Sequence, residues 1–555
     1  MRLNTKLIFL CVTILGSVIL GWGNLNFVET LSTGDHGRDL YASAAVTRGE
    51  LPYKDFWWVY GPVMPYYYGL FNSLLGTHIS SVLLGKLVIE VLLGVLFYLT
   101  LATRAPAYFA CIGALWFLQI RQEFFFTFNH IGGIACALVV LYSLFNYLQR
   151  REIRLLWIGL IASFIFMLIK INFGLASLVG LLLSVALIDK MNGLALTNQK
   201  KKFYLLGLAL PLLAGLIYWV LLKDLPFYAI RQCMPYFGDD QPHHVTPWVA
   251  VPYYLQQHWL TLVHNWMGLV NAFSHAFSSP FGLLMASIAS LYFLQNLVLH
   301  GSTITAIALL ITGRIPNEER RNLLLSLSML GLFFVFYFHE FLVSGVWYRS
   351  YWSWPFLMMA HLLLITTMLK YAPRFLRVAV TSLFVFLLLF GLIPRYQTLA
   401  AQKRPQQFIS VPNGQIFVGN EPQWVDTVNA VTQYLNTNLK KDELFFALPY
   451  DCIYYYLTGK PTPTRDLIFF EHIKITTPQE ISIIQELESK KIAYVLMSNR
   501  IASSEIGMGI FGQTHCPLIS QYIQANFIPV SRQGGNWQAE PGWGHNHGVI
   551  IFKRK

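Results

Sequence analysis

Residues 79–101 read ISSVLLGKLVIEVLLGVLFYLTL. At about 1.5 Å of rise per residue, a helix over this run spans roughly 35 Å, enough to cross the ~30 Å hydrocarbon core of a bilayer. Lys86 and Glu90 interrupt it, one turn apart, at the spacing of an ion pair internal to one helix. Comparable apolar runs recur near 7–22, 105–120, 131–148, 155–169, 173–188, 203–222, 281–299, 323–338, 355–369 and 376–393. The pattern predicts a polytopic α-helical membrane protein with about 11 to 13 transmembrane helices. Met1 to Lys6 followed by the apolar run from Leu7 is read as a retained first helix, because no clear small-residue cleavage site follows.

The composition agrees. The chain has 555 residues, 55% of them hydrophobic and 12% charged, against roughly 25% charged in an ordinary soluble domain. Burying that apolar surplus requires lipid as the solvent. The formal charge of +13 does not point to nucleic acid, since the Lys and Arg residues cluster at the ends of apolar runs, where they act as a topology signal. With a cytoplasmic N-terminus, the basic connections at Arg104, Arg150 to Arg154, Asp189 to Lys202, Arg314 to Arg321 and Lys370 to Arg377 all fall inside. The same count places the 23–78 loop, the 223–280 loop, the 339–354 loop and everything beyond about 395 on the non-cytoplasmic side. The short apolar stretches Pro62 to Leu75 and Ser302 to Ile311 are read as interfacial or re-entrant pieces.

Past Pro394 the hydropathy falls and soluble patterns begin. Trp424 to Leu439 and Pro478 to Lys490 read as amphipathic helices; Leu444 to Leu448, Tyr494 to Ser498 and Val549 to Lys553 read as strands. The expected organisation is a membrane domain over 1–394 and a small non-cytoplasmic α/β domain over 395–555. Cys11, Cys111 and Cys136 lie in apolar runs and Cys233, Cys452 and Cys516 outside them. The sequence leaves open whether Cys452 and Cys516 are bonded. There is no CxxC or HExxH pattern, and Asp239-Asp-Gln-Pro-His-His244 reads as a polar loop in preference to a metal site.

The first outer loop is the densest cluster of ionisable groups: Gly34-Asp-His-Gly-Arg-Asp-Leu-Tyr-Ala-Ser-Ala-Ala, then Gly49-Glu-Leu-Pro-Tyr-Lys-Asp-Phe and Tyr60-Gly-Pro62. A short helix starting near His36 puts Asp35 at its N-terminus and Asp39 on one face. The plain reading of Asp35 is a helix cap, contributing about 1 kcal/mol. The functional reading is a carboxylate at the membrane surface that deprotonates a hydroxyl or amine, with Arg38 and Arg48 balancing its charge or holding a phosphate.

At these residues, over 30–78, the chain resembles the GT-C superfamily of membrane glycosyltransferases, and more narrowly bacterial family-39-type enzymes of the protein O-mannosyltransferase and aminoarabinose transferase kind. The resemblance implies a polyprenyl-phosphate sugar donor, an inverting transfer at the non-cytoplasmic face of a bacterial plasma membrane, and Asp35 as catalytic base. Many relatives carry an acidic residue directly after that Asp; here it is His36, so the second acid/base group is either His36 or Asp39.

Three further positions fit this chemistry. Lys170, in Lys170-Ile-Asn-Phe-Gly174, is either a snorkelling lysine or a cation for the donor phosphate. Arg349, flanked by Tyr348 and Tyr351 in the 339–354 loop, suits phosphate because its planar fork bonds two oxygens. Glu123, Asn129 and His130 lie in the second outer turn with no role fixed locally. Leu457-Thr-Gly-Lys-Pro-Thr-Pro-Thr-Arg465 is similar to a turn-rich segment of the family's outer domains. Phosphate is a good leaving group, so no cofactor is implied and a divalent metal is not required. The acceptor is a glycan, a lipid or a protein. The rival reading, a lipid or glycan transporter or flippase, calls for internal repeats and ionisable residues deep in the helices.

Overall fold

The computed structural model describes residues 5–119, 128–233, 280–344, 347–402, 407–411, 414–505 and 507–555, with scattered positions between 251 and 274. Among the described residues, nine helices are long and apolar enough to cross a membrane: Thr5–Trp22, Ile79–Leu101, His130–Arg150, Ile171–Met191, Asn198–Leu222, Phe293–Ile311, Asn317–Leu342, Tyr351–Tyr371 and Arg374–Leu392. Two shorter apolar helices, Ala107–Gln119 and Arg154–Met167, occupy the runs at 105–120 and 155–169. The chain is a polytopic α-helical membrane protein.

The apolar faces show why water is excluded as the solvent. Leu205, Leu208, Leu212 and Trp219 stand exposed along Asn198–Leu222, and each would contribute roughly 1.5–3 kcal/mol if fully removed from water. At the other extreme, 83% of the apolar window of His130–Arg150 is buried, so that helix sits at the centre and carries Asn129 and His130 into the interior at its N-terminal end.

One expectation changes. Ser302 to Ile311 is not a separate short piece but the last part of a continuous helix, Pro280–Ile311, in which the hydroxyls of Ser302 and Thr303 both bond back to the Leu299 carbonyl and are satisfied inside the helix. Pro62 to Leu75 forms the 13-residue helix Val63–Leu75, about 20 Å long and too short to span.

Beyond helix Arg374–Gln402 the elements become mixed. Strands β4 (Phe445–Leu448), β5 (Tyr494–Ser498), β6 (Phe527–Gly534) and β7 (Gly548–Arg554) form a sheet in the order β4-β5-β7-β6, with β4 and β5 parallel and the other pairs antiparallel. Helices Pro422–Asn438, Thr477–Ser489 and Pro517–Asn526 accompany it. A second sheet joins distant parts of the chain: β1 (Phe27–Val28) pairs in parallel with β3 (Gly414–Val418), which pairs with β2 (Phe408–Val411). The start of the first loop is thus hydrogen-bonded to the C-terminal segment. Cys452 and Cys516 are both buried free thiols, as are Cys111 and Cys233, so the pairing left open by the sequence is not formed.

Candidate active site

Helix Asp35–Ala45 begins with an acid in its first turn, where a carboxylate is favoured by the unpaired N–H groups and the helix dipole. The Ala42-Ser-Ala-Ala45 run continues it, and the chain turns away at Gly49, whose φ of +87° suits glycine. Every residue from His36 to Ala45 is buried, because helix Val63–Leu75 and the C-terminal segment both pack on this helix. Contact is closest at Gly37, where an added Cβ would lie 2.4 Å from the Ile453 nitrogen. The Ile453 N–H donates to the Thr33 carbonyl at 3.0 Å.

This docking creates a cluster of two carboxylates around one guanidinium. Arg38 donates from Nε and Nη2 to Asp39 Oδ1 at 3.0 and 2.8 Å, and from Nη1 to Asp35 Oδ1 at 3.3 Å. Tyr450, immediately beyond β4, donates its hydroxyl to Asp35 Oδ1 at 2.9 Å and accepts from Arg38 Nη1 at 3.0 Å. The Arg38 and Asp39 side chains are 3% and 2% exposed, whereas Asp35 is 33% exposed. Of the two acids, Asp35 alone is open to a reactant. Burial pushes the Asp39 carboxyl up to about 6, against the pull of Arg38 and with Asn129 beside it. The Arg38 guanidinium lies 5.0 to 5.8 Å from the ring centres of Trp57, Trp58 and Tyr60, within cation–π range.

A second cluster has the opposite composition. Lys170 occupies the turn between helices Arg154–Met167 and Ile171–Met191, and its Nζ lies 2.9 Å from Glu340 Oε1. Arg349 Nη1 reaches the same oxygen at 3.6 Å, and Asn172 donates to Glu340 Oε2 at 3.3 Å. Lys170 is also enclosed by the rings of Tyr60, Phe173 and Trp352 at 5.8, 5.0 and 5.2 Å. Two cations surround one acid, and Arg349, with 28% of its side chain exposed, is more open than Lys170.

Tyr60 joins the clusters, since its ring packs on Arg38 and on Lys170. The Tyr-Gly-Pro motif puts it there: the Gly61 N–H donates to the Ile169 carbonyl at 2.8 Å, and a Cβ on Gly61 would lie 2.0 Å from the Leu168 carbonyl oxygen. Only glycine lets the loop lie against the turn that presents Lys170. Edge-on to Tyr60 is His130, which hydrogen-bonds through Nδ1 with the Tyr351 hydroxyl.

Asp35, Asp39, Lys170, Arg349 and Tyr351 therefore line one region. His36 points elsewhere: Nδ1 faces the Ser32 N–H at 3.0 Å and the ring packs on Phe128. Arg48 pairs with Glu50 and lies over Tyr41. Glu123 and the Asp239 to His244 segment lie outside the described residues. The Thr-Gly-Lys-Pro segment acts as a clamp: Arg465 donates to the Tyr53 carbonyl at 2.7 Å, and its own carbonyl accepts from the Trp57 N–H at 2.7 Å. Sequence reading missed Tyr450, Tyr60 and Glu340. Glu340 had a signal, an acid beside His339 at the end of an apolar run; Tyr450, 415 residues from Asp35, had none.

No family model matches the sequence, and no curated protein does. Among solved structures, the chain is similar to ArnT from Cupriavidus metallidurans bound to undecaprenyl phosphate, at 11% identity and a TM-score of 0.49, over 98% of this chain and 97% of that one. It is also similar to the oligosaccharyltransferase AglB from Archaeoglobus fulgidus in complex with an inhibitory peptide and a dolichol-phosphate, at 13% identity and a TM-score of 0.46, over 93% of this chain and 72% of that one.

Proposed function

We propose that this protein is a membrane glycosyltransferase that moves a hexosyl or pentosyl group from a polyprenyl phosphate to an acceptor at the non-cytoplasmic face, with inversion. The observation that carries the reading is the pair of oppositely charged clusters joined by Tyr60, each with one member open to solvent. A displacement at an anomeric carbon needs a base on the incoming side and positive charge on the departing side. Asp35 takes the proton as the acceptor oxygen or nitrogen forms its bond to the anomeric carbon. The bond from that carbon to the phosphate oxygen breaks, and the lipid phosphate departs with its charge held by Arg349 and Lys170 through charge-assisted bonds. A single displacement of this kind inverts the centre.

Arg38 and Tyr450 both direct hydrogens at Oδ1 of Asp35, which leaves Oδ2 for the acceptor proton. The remainder of the chain beyond about 395 acts with the membrane helices in this reading, since Tyr450 belongs to the site. The basic clusters at the opposite ends of the helices support a cytoplasmic N-terminus, with Asp35 on the non-cytoplasmic side in this reading.

The test is Asp35→Asn in a membrane preparation supplied with labelled polyprenyl-phosphate sugar. Transfer is expected to fall by about 10²–10⁴-fold, the range for a lost general base, with thermal unfolding little changed. Transfer at the normal rate by a folded variant overturns the base assignment.

A further inference from the structure

A cavity of about 450 Å³ opens among helix ends remote from Asp35, lined by Arg104, Lys370, Arg377, Glu319, Phe109 and Leu323 among others. Its place relative to the membrane follows from single helices. Glu319 and Glu340 share the helix Asn317–Ser344; 21 residues apart, they are separated by roughly 32 Å along its axis. That is about the thickness of the hydrocarbon core. The cavity therefore lies at the membrane surface opposite the site containing Glu340, on the side where the basic connections gather.

Charge and solvation in the cavity are unbalanced. Lys370 is matched by Glu319, with Nζ 2.5 Å from Oε2. Arg104 and Arg377 have no such acid among the cavity's lining residues. The Nε and Nη2 atoms of Arg104 are buried and meet no hydrogen-bond partner among the described residues. Burial, and then the nearby Arg151, pull the Arg104 guanidinium below its ordinary pKa, the direction expected of a cation whose compensating anion is missing. Phe109, Leu323 and the exposed Tyr108 give the cavity apolar walls, and Leu324, Phe375 and Val378, within two residues of the lining Leu323 and Arg377, are exposed large side chains.

We infer that this cavity is a binding site for an anionic phosphate group, that of a phospholipid headgroup, with Arg104 and Arg377 as its ligands and the acyl chains lying along the exposed apolar flank. A guanidinium suits a phosphate because several donors meet several oxygens at once. Basic pockets between helices at a membrane surface recognise lipid headgroups by this chemistry. The source of the phosphate is the lipid, since the flank that adjoins the cations is greasy where a soluble anion would gain nothing from it. The inference stands apart from the transferase reading, because none of its residues belongs to the Asp35 site.

The experiment compares binding of phosphatidylglycerol, phosphatidylcholine and inorganic phosphate to the full chain in detergent by native mass spectrometry, for wild type and Arg104→Gln/Arg377→Gln. Phosphatidylglycerol is expected to be retained over phosphatidylcholine, with affinity falling at least tenfold in the double variant, given about 1 kcal/mol for each basic residue near an anionic lipid. Should the double variant fail to fold, Arg377→Glu, a change at an exposed side chain, is expected to weaken phosphatidylglycerol binding in the same direction. Inorganic phosphate bound in an Arg-dependent way while phosphatidylglycerol is ignored would support the phosphate site and overturn its lipid source. Equal retention of both lipids, unaltered in a folded variant, overturns the proposal.

Discussion

The two charged clusters of the candidate site are near mirror images in charge. Around Arg38 stand two carboxylates, Asp35 and Asp39; around Glu340 stand two cations, Lys170 and Arg349. In each, the central group is almost fully buried and a flanking group reaches solvent. They differ in what they are built from. The Lys170 cluster is assembled at helix ends and turns of the membrane part, whereas the Arg38 cluster is closed by Tyr450 from beyond β4. The contrast teaches that a buried counter-charge holds each exposed group in place without neutralising the cluster. One net charge of each sign is left for a reactant.

After loss of the base itself, the largest effect should come from the positive side. Lys170→Gln removes a cation enclosed by Tyr60, Phe173 and Trp352 and leaves Arg349 as the remaining cation of the cluster beside Glu340. Transfer is expected to fall by about 10²–10³-fold, the usual consequence of losing one preorganised charge-stabilising group, measured as turnover at saturating labelled donor. Loss confined to the donor KM, with turnover intact, would make Lys170 a binding anchor and break the functional parallel between the clusters.

Next is the centre of the negative cluster. Arg38→Gln leaves Asp39 buried without its cation, and removal of one partner of a buried ion pair costs roughly 3–5 kcal/mol. The expected outcome is a marked drop in thermal stability as well as in activity. Arg38→Lys keeps the charge but loses the fork that holds Asp35, Asp39 and Tyr450 together, so it should restore stability more than turnover. Equal recovery of both would mean that Arg38 supplies charge alone.

How much of this contrast was visible in the sequence depends on where contacts come from. The membrane fold was legible because lipid imposes length and apolarity on each segment separately; Ile79–Leu101 and Tyr494–Ser498 have the bounds that their patterns predict. Where the chain meets itself over long distances, local pattern failed. Phe27–Val28 is two residues long and becomes a strand only through its partner at Phe417–Val418. β6, with just its first residue buried, Phe527, offers little alternation to read. Asp35, Lys170 and Arg349 stood out because charge is rare beside apolar runs. Tyr60 and Tyr450 did not, since tyrosine is also the ordinary residue of a membrane interface.

A smaller effect sharpens the role of the C-terminal segment. Burial holds the His547 imidazole down to about 4, while its Nε2 lies 2.8 Å from the hydroxyl of Tyr454, in the short helix Ile453–Thr458 that follows Tyr450. In the unfolded chain a histidine takes its proton near 6.5. The neutral, buried form therefore contributes full stability above pH 6.5, and that contribution is lost progressively as pH falls from 6.5 towards 4. At pH 5 the loss amounts to about 2 kcal/mol. His547→Gln should flatten the pH dependence of thermal unfolding over this interval; a variant with the same acid sensitivity as wild type would assign that sensitivity to other groups.

The smallest change, Tyr450→Phe, tests the asymmetry between the clusters most directly. It deletes one oxygen and keeps the ring, which packs edge-on to Trp57 and Phe470, so the docking of the C-terminal segment on the first loop should survive. What disappears is the hydroxyl that donates to Asp35 and accepts from Arg38. Asp35 then keeps the 3.3 Å contact with Arg38 Nη1 as its remaining hold in this cluster and gains freedom to turn. Turnover should fall about tenfold, as expected for a hydrogen bond to a charged group at roughly 1.5 kcal/mol, with the donor KM unchanged because the phosphate cluster is untouched. A rise in donor KM of the same size would locate Tyr450 in donor binding, and the two clusters would then no longer divide incoming and departing groups between them. A deeper loss, approaching that of Asp35→Asn, would mean that the base has no other means of orientation and that the C-terminal segment is as much a part of the reaction as the first loop.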